Sequence, residues 1–354
     1  MTCSMLLSAM LTMTVPADQP VELGQVNWGR NLDSALQTSK STGKPVLLLF
    51  QEIPGCHGCQ VFGQEPLSHP LIVEALETSF VPVAIHNNKP GYDEKILKQF
   101  NEPSWNYPVM RVIDANGKDL IPRRDKQYSV HEVSTRLIDG LQAAKHDVPG
   151  YLNVLAAETA PKLETATFAM YCYWEGEGRI GALDGVVTTE SGWQDGLEVV
   201  EVTFDPTRIS YDTLLREAQS FKCATKVFAH NDTQFGIASK LGAPTQRITK
   251  DNRRAKDSDQ KHTLRATALK YMPLTPGQQT KINAAIHTQT SWKAYLSPRQ
   301  YELAKAVDTA HRHHPELFND VPVPDETTDL AAHTKRLHEI ILASSRSAGD
   351  ERGS

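Results

Sequence analysis

The sequence is poor in several things. No lysine or arginine occurs before Arg30, the formal net charge over 354 residues is -5, and no apolar run approaches the roughly 20 residues that a membrane span needs. The missing basic field excludes a nucleic-acid partner. No membrane span is expected. Cysteine is scarce, and Cys3, Cys56, Cys59, Cys172 and Cys223 are too few and too scattered to staple a fold, so they read as thiols available for chemistry. No second cysteine pair answers Cys56 and Cys59, which leaves them without the other half of a zinc site. No metal and no cofactor are expected. Internal repeats and low-complexity tracts are also missing.

The first residues, "MTCSMLLSAMLTMTVPADQ", have the apolar middle of an export signal, with Val15 and Ala17 suited to cleavage after Ala17. They lack the charged leading region, so a frayed start is an equal reading. The expected compartment is cytoplasmic, or exported if residues 1–17 are a signal.

What is present divides into two domains and a tail, since the chain is too long for one ordinary core. After an N-terminal segment, 1–21, a first domain spans 22–147. Leu32, Ala35 and Leu36 recur at helical spacing, and Val46 to Phe50 form the unbroken apolar run of a doubly covered strand. Cys56 and Cys59 follow a Pro54-Gly55 turn. A helix through Leu71, Ile72, Ala75 and Leu76, a strand at Phe80 to Ile85, and a hairpin about Asn116-Gly117 come next. Ser129 and Glu132 then form a capping box ahead of Val133, Leu137 and Leu141. A strand, a C-x-x-C at a helix start and a proline-led strand together resemble thioredoxin-like domains. "EIPGCHGCQVFGQEPLSHPLIVEA" is similar to the group whose signature begins Val-Pro-Gly, with the reactive chalcogen at Cys56. The resemblance implies a cis proline at Pro108 and a redox dithiol in which Cys56 attacks and Cys59 resolves. The helix N-terminus is expected to lower the Cys56 pKa. Gly55 replaces the usual tryptophan, and His57-Gly58 replaces Gly-Pro.

A linker, 148–163, carries a short apolar helix between Pro149 and Pro161. The second domain, 164–290, opens on "ATFAMYCYWEGEGRIGALDGVV", where a strand breaks into a helix just beyond Cys172. Tyr171, Cys172, Tyr173 and Trp174, then Asp184, Gly185 and Val186, resemble the Gly-Cys-Phe-Trp and Pro-Gly-Val motifs of A-type peptide methionine sulfoxide reductases. "GLEVVEVTFDPTRISYDTLLREA" is similar to that family's strand, Asp-Pro turn and Ser-Tyr helix start, with Glu198 on the family's acid. Alone on its alternating strand, Glu198 would read as solvent-facing. Asp259 and Arg265 align with a further family segment whose tyrosine position holds Leu264, and a second family tyrosine has no counterpart.

The resemblance implies thiol-dependent reduction of (S)-methionine sulfoxide, in proteins or free. Cys172 would attack sulfur, Tyr173 and Trp174 would hold the methyl group, and Glu198 would deliver a proton to oxygen, helped by Asp259 or His262. The resulting sulfenic acid needs another thiol. With no cysteine after Cys223, the Cys56 and Cys59 dithiol is the expected final donor, tethered at about millimolar effective concentration. Cys223 is an optional relay, and external thioredoxin or another thiol donor a further partner. Two alternatives stay open: a thiol-disulfide oxidoreductase, or a thiol peroxidase, acting through Cys56 and Cys59 beside a non-catalytic peptide-binding second domain. The expected fold class is α/β and α+β: a thioredoxin-like domain, then a ferredoxin-like two-layer α/β sandwich of the reductase type. A helical tail, 291–354, ends it, carrying Leu337, Ile340, Ile341 and Leu342. "HRHHP" at 311 to 315 reads as solvated helix surface.

Overall fold

The computed structural model describes residues 18–103, 105, 107–325 and 328–350; the expected signal at 1–17 lies outside them. The chain divides into two compact units, one up to Thr159 together with Ser297–Arg299, the other from Ala160 to Leu296 and from Gln300 onward.

In the first unit, α1 (Leu32–Thr42) precedes β1 (Val46–Gln51), α2 (His57–Gln64), α3 (Pro70–Ser79), β2 (Val81–His86), α4 (Tyr92–Gln99), β3 (Val109–Ile113), β4 (Arg124–Asp125), α5 (Val130–Ala143) and α6 (Gly150–Glu158). The sheet order is β2-β1-β3-β4. β1 lies parallel to β2 and antiparallel to β3. Every residue of β1 is buried, as expected for a strand covered on both faces. The capping box at Ser129 and Glu132 forms. The strand expected after Asn116-Gly117 is reduced to one bridge between Ile113 and Asp119, and β3 pairs instead with the two-residue β4. The apolar helix in the expected linker is α6, and it carries Tyr151, Leu152 and Leu155 into the first core.

The second unit contains β5 (Glu164–Ala169), α7 (Tyr173–Gly181), β6 (Val186–Gln194), β7 (Leu197–Phe204), α8 (Tyr211–Ser220) and β8 (Lys226–Ala229). This β-α-β-β-α-β succession is ferredoxin-like, and the strands lie in the order β6-β7-β5-β8. After α9 (Asp232–Lys240), β9 (Thr245–Arg247) and β10 (Arg253–Arg254) widen the sheet to six strands. Alternation along β7 sends Val200, Val202 and Phe204 into the core under α7 and α8.

The short α10 (His262–Arg265), then α11 (Pro276–His287), α12 (Pro298–His313) and α13 (Leu330–Asp350) complete the chain. Leu337 and Ile341 are buried, whereas Leu342 points outward. His311 is not solvated surface, because its ring packs against Tyr271 and Phe318 at 5.7 and 5.2 Å between centroids. Among the described residues no helix is long and apolar enough to cross a membrane.

Candidate functional site: two thiol centres

The dithiol of the first unit sits where β1 runs out. Cys56 caps α2 in an extended conformation and is exposed, while Cys59, one turn on, is fully buried. Their sulfurs lie 3.8 Å apart. Burial, then the hydrogen bond and charge of Cys56, push the Cys59 thiol up to about 12. Cys56 is therefore the sulfur that can meet a substrate, and Cys59 keeps its proton.

Gly55 has a steric reason. A Cβ there would fall 2.4 Å from the Glu52 carbonyl oxygen and 2.6 Å from the Cys59 Cβ, so no side chain fits before Cys56. The turn is tied from below: buried Glu22 accepts the Gly55 N–H at 2.7 Å, and the Gln51 amide donates to the Glu22 and Cys59 carbonyls. The Tyr107–Pro108 peptide is cis. Tyr128, whose ring lies over Gly58, donates its hydroxyl to the Tyr107 carbonyl at 3.1 Å, linking the dithiol helix to the proline.

A Glu52 carboxylate oxygen and the two sulfurs lie within 4.8 Å of one another. They are the only metal-capable group among the described residues, one ligand short of a closed tetrahedral zinc site. Sequence reading passed over Glu52 and Tyr128. A glutamate before a proline turn and a tyrosine 69 positions after Cys59 carry no local pattern.

In the second unit, Cys172 is the N-cap of α7, half-buried and extended at φ -148°. The Glu198 carboxylate accepts the Tyr173 N–H at 2.9 Å, so it satisfies one of the free amides of that helix end instead of facing solvent. Trp174 stacks flat on His262, centroids 3.8 Å apart at 11°, and donates its indole N–H to the Asp259 carbonyl at 3.1 Å.

Cys172, Trp174 and His262 border a cavity of about 680 Å³, which Tyr171, Phe221 and Cys223 among others also line. Tyr171 stands at its mouth, 93% exposed. Tyr173 does not line it. That ring is only 6% exposed, wedged between Trp174 and Trp193, and its hydroxyl is hydrogen-bonded to the Asp259 side chain. Burial first, then the charges of Asp259 and Glu198, push the phenol up to about 12. The apolar wall beside Cys172 is thus made by Trp174 and Phe221, not by Tyr173. Glu198 and Asp259 reach the site through the helix end and the Trp174 support. Leu264, at the expected tyrosine position, is buried, and its N–H bonds to the Asn283 side chain.

Two supports were invisible in the sequence. Glu177 is fully buried and holds both the Lys261 N–H and its ammonium at 2.8 Å, fastening the segment of Asp259 and His262 to α7. His287, at the end of α11, contacts Glu175 at 3.2 Å and lines the same cavity. A glutamate in a glycine-rich helix start reads as solvent-facing, and nothing near Lys261 marks it as its partner.

Residues 27–115 match the model of a thioredoxin-like family. The chain is also similar to peptide methionine sulfoxide reductases MsrA. The chain is 38% identical over 76 residues to that of Geobacter metallireducens, covering 17% of this chain and 47% of that protein. It is 32% identical over 132 residues to that of Streptomyces griseus, covering 32% and 59%. It is 35% identical over 109 residues to MsrA 1 of Synechocystis sp., covering 25% and 44%. The chain spans about half the length of the curated relatives it matches.

Proposed function

We propose that the second unit reduces (S)-methionine sulfoxide, free or in proteins, and that the Cys56 and Cys59 dithiol supplies the electrons, alongside an external thioredoxin or other thiol donor. The observation that carries this reading is the placement of Cys172 at a helix N-terminus, opening into a cavity walled by Trp174 and sharing that helix end with the Glu198 carboxylate. A helix N-terminus favours a thiolate over a thiol.

The chemistry follows from the substrate. A sulfoxide offers a polarised S–O bond and a methyl group. Trp174 and Phe221 give the methyl an apolar wall, and the Cys172 sulfur bonds to the substrate sulfur. Glu198 protonates the oxygen as the sulfur valence expands. Transfer of that hydroxyl to Cys172 releases methionine and leaves Cys172 as a sulfenic acid, so methionine gains the two electrons that the cysteine loses. Replacing Cys172 with serine is expected to abolish sulfoxide reduction in a dithiothreitol-driven assay while leaving Cys56 alkylation unchanged. Surviving turnover removes the assignment.

A second reading has one observation in its favour: Glu198, Asp259 and Tyr173 lie outside the cavity lining, while exposed Cys56 and the nearby Glu52 carboxylate form a self-contained centre. On it, the chain is a thiol-disulfide oxidoreductase or thiol peroxidase. Peroxide consumption that is lost in Cys56→Ser and untouched in Cys172→Ser would favour it.

A further inference from the structure

β5 and β8 form an antiparallel ladder that ends at the pair Ala169 and Lys226. Just beyond, Thr225 donates both its N–H, at 3.0 Å, and its hydroxyl, at 3.1 Å, to the Ala169 carbonyl, so the two chains are still held together as they leave the sheet. Cys172 lies three residues past Ala169, and Cys223 three residues before Lys226. Both chains leave the same end of one ladder, and the two cysteines stand equally far along them. The topology therefore delivers both cysteines to the same end of the sheet.

The side chains agree with the backbone. Both sulfurs line the one cavity, Cys172 half-buried and Cys223 almost fully buried. They are close enough for the Cys172 charge to be among the influences on the Cys223 thiol.

We propose that Cys223 is the resolving thiol of this centre, closing a disulfide with Cys172 across the end of the β5–β8 ladder. The proposal rests on the reading of Cys172 as the residue that becomes a sulfenic acid. The Cys223 sulfur attacks the Cys172 sulfur, the S–S bond forms, and the Cys172 S–O bond breaks. The Cys223 thiol proton leaves with the hydroxyl as water. Cys223 loses one electron to the shared bond and the sulfenic sulfur gains one, so no further reductant is consumed. The bond ties up Cys172, and the oxidised centre takes no second sulfoxide until a dithiol reduces it. The resolving sulfur thus belongs to the sandwich itself, at the start of a core strand.

The test uses the full chain carrying Cys56→Ser and Cys59→Ser, which removes the other dithiol. One equivalent of hydrogen peroxide oxidises Cys172 without any sulfoxide chemistry, and dimedone then traps remaining sulfenic acid before non-reducing peptide mapping. The expected result is a Cys172–Cys223 disulfide in most chains and little dimedone adduct. Adding Cys223→Ser should raise the Cys172 adduct at least about ten-fold. The same mapping on the rapidly quenched natural chain guards against a folding defect in the variant. A dimedone adduct on Cys172 beside a free Cys223, or two free thiols after peroxide, overturns the proposal. Methionine yield from the sulfoxide is measured separately, so a chain that forms the disulfide but yields no methionine contradicts the reductase reading alone.

Discussion

A thiol attacks faster once it has shed its proton, and burial slows that step at Cys59 and Cys223. Cys59 and Cys223 are buried, with thiols pushed up to about 12 and about 11. Cys56 is exposed and Cys172 opens into its cavity. Iodoacetamide at pH 8 should therefore label Cys56 and Cys172 at least about ten-fold faster than Cys59 and Cys223, read by peptide mapping. Equal labelling of Cys59 would remove its role as the resolving partner. The cysteine positions were legible because C-x-x-C spacing and a strand-to-helix break are local patterns. The side chains that support them, Glu52, Tyr128, Glu177 and His287, were not, because each meets its partner through the fold and has an ordinary surface residue's neighbours in sequence.

At the scale of the element, two helices each carry one contact with a testable consequence. The N-terminus of α3 is capped by an imidazole, the His69 Nδ1 accepting the Leu71 N–H at 3.3 Å, and burial lowers the His69 pKa to about 4. The unfolded chain takes up that proton near pH 6.5, the folded chain only near 4. Stability from the neutral cap is thus complete above 6.5 and is lost as pH falls through that window, by at most about 3 kcal/mol. His69→Asn keeps a capping acceptor without the titration, and its urea midpoint should fall less than that of the natural chain between pH 6.5 and 4. Parallel curves would contradict the argument.

The other contact is on α7, where a Cβ at Gly178 would come within 2.3 Å of the His287 ring. Gly→Ala in a helix normally stabilises by about 1 kcal/mol, but here the near end of a packed side chain must move, and about 1–3 kcal/mol of destabilisation is expected instead. Gly178→Ala combined with His287→Ala should recover most of it, as denaturant midpoints would show. Gly178 and Gly181 of "EGEGRIG" had no visible purpose in sequence, since the element they face, α11, lies about 100 residues on.

On the scale of the whole molecule, the mixed α/β character of the chain was legible, because periods of 2 and 3.6 survive in single segments. Sequence reading missed that α6 belongs to the first core and that β9 and β10 widen the second sheet, since both follow from packing between distant segments. The fusion itself carries a prediction. A C-x-x-C module tethered to the second unit would act at about millimolar effective concentration wherever the tether lets the two thiol centres meet. After one turnover without external reductant, mass spectrometry should find the accumulated disulfide at Cys56 and Cys59. If it stays between Cys172 and Cys223 and Cys59→Ser changes no stoichiometry, the units do not exchange electrons.

The central claim is sulfoxide reduction at Cys172, and the most direct test is turnover on the two separated sulfoxide epimers of a blocked methionine, with dithiothreitol as reductant. Methionine is expected from the S epimer and almost none from the R epimer, with both absent in Cys172→Ser. Equal rates on the two epimers, a preference for R, or no product from either would contradict it.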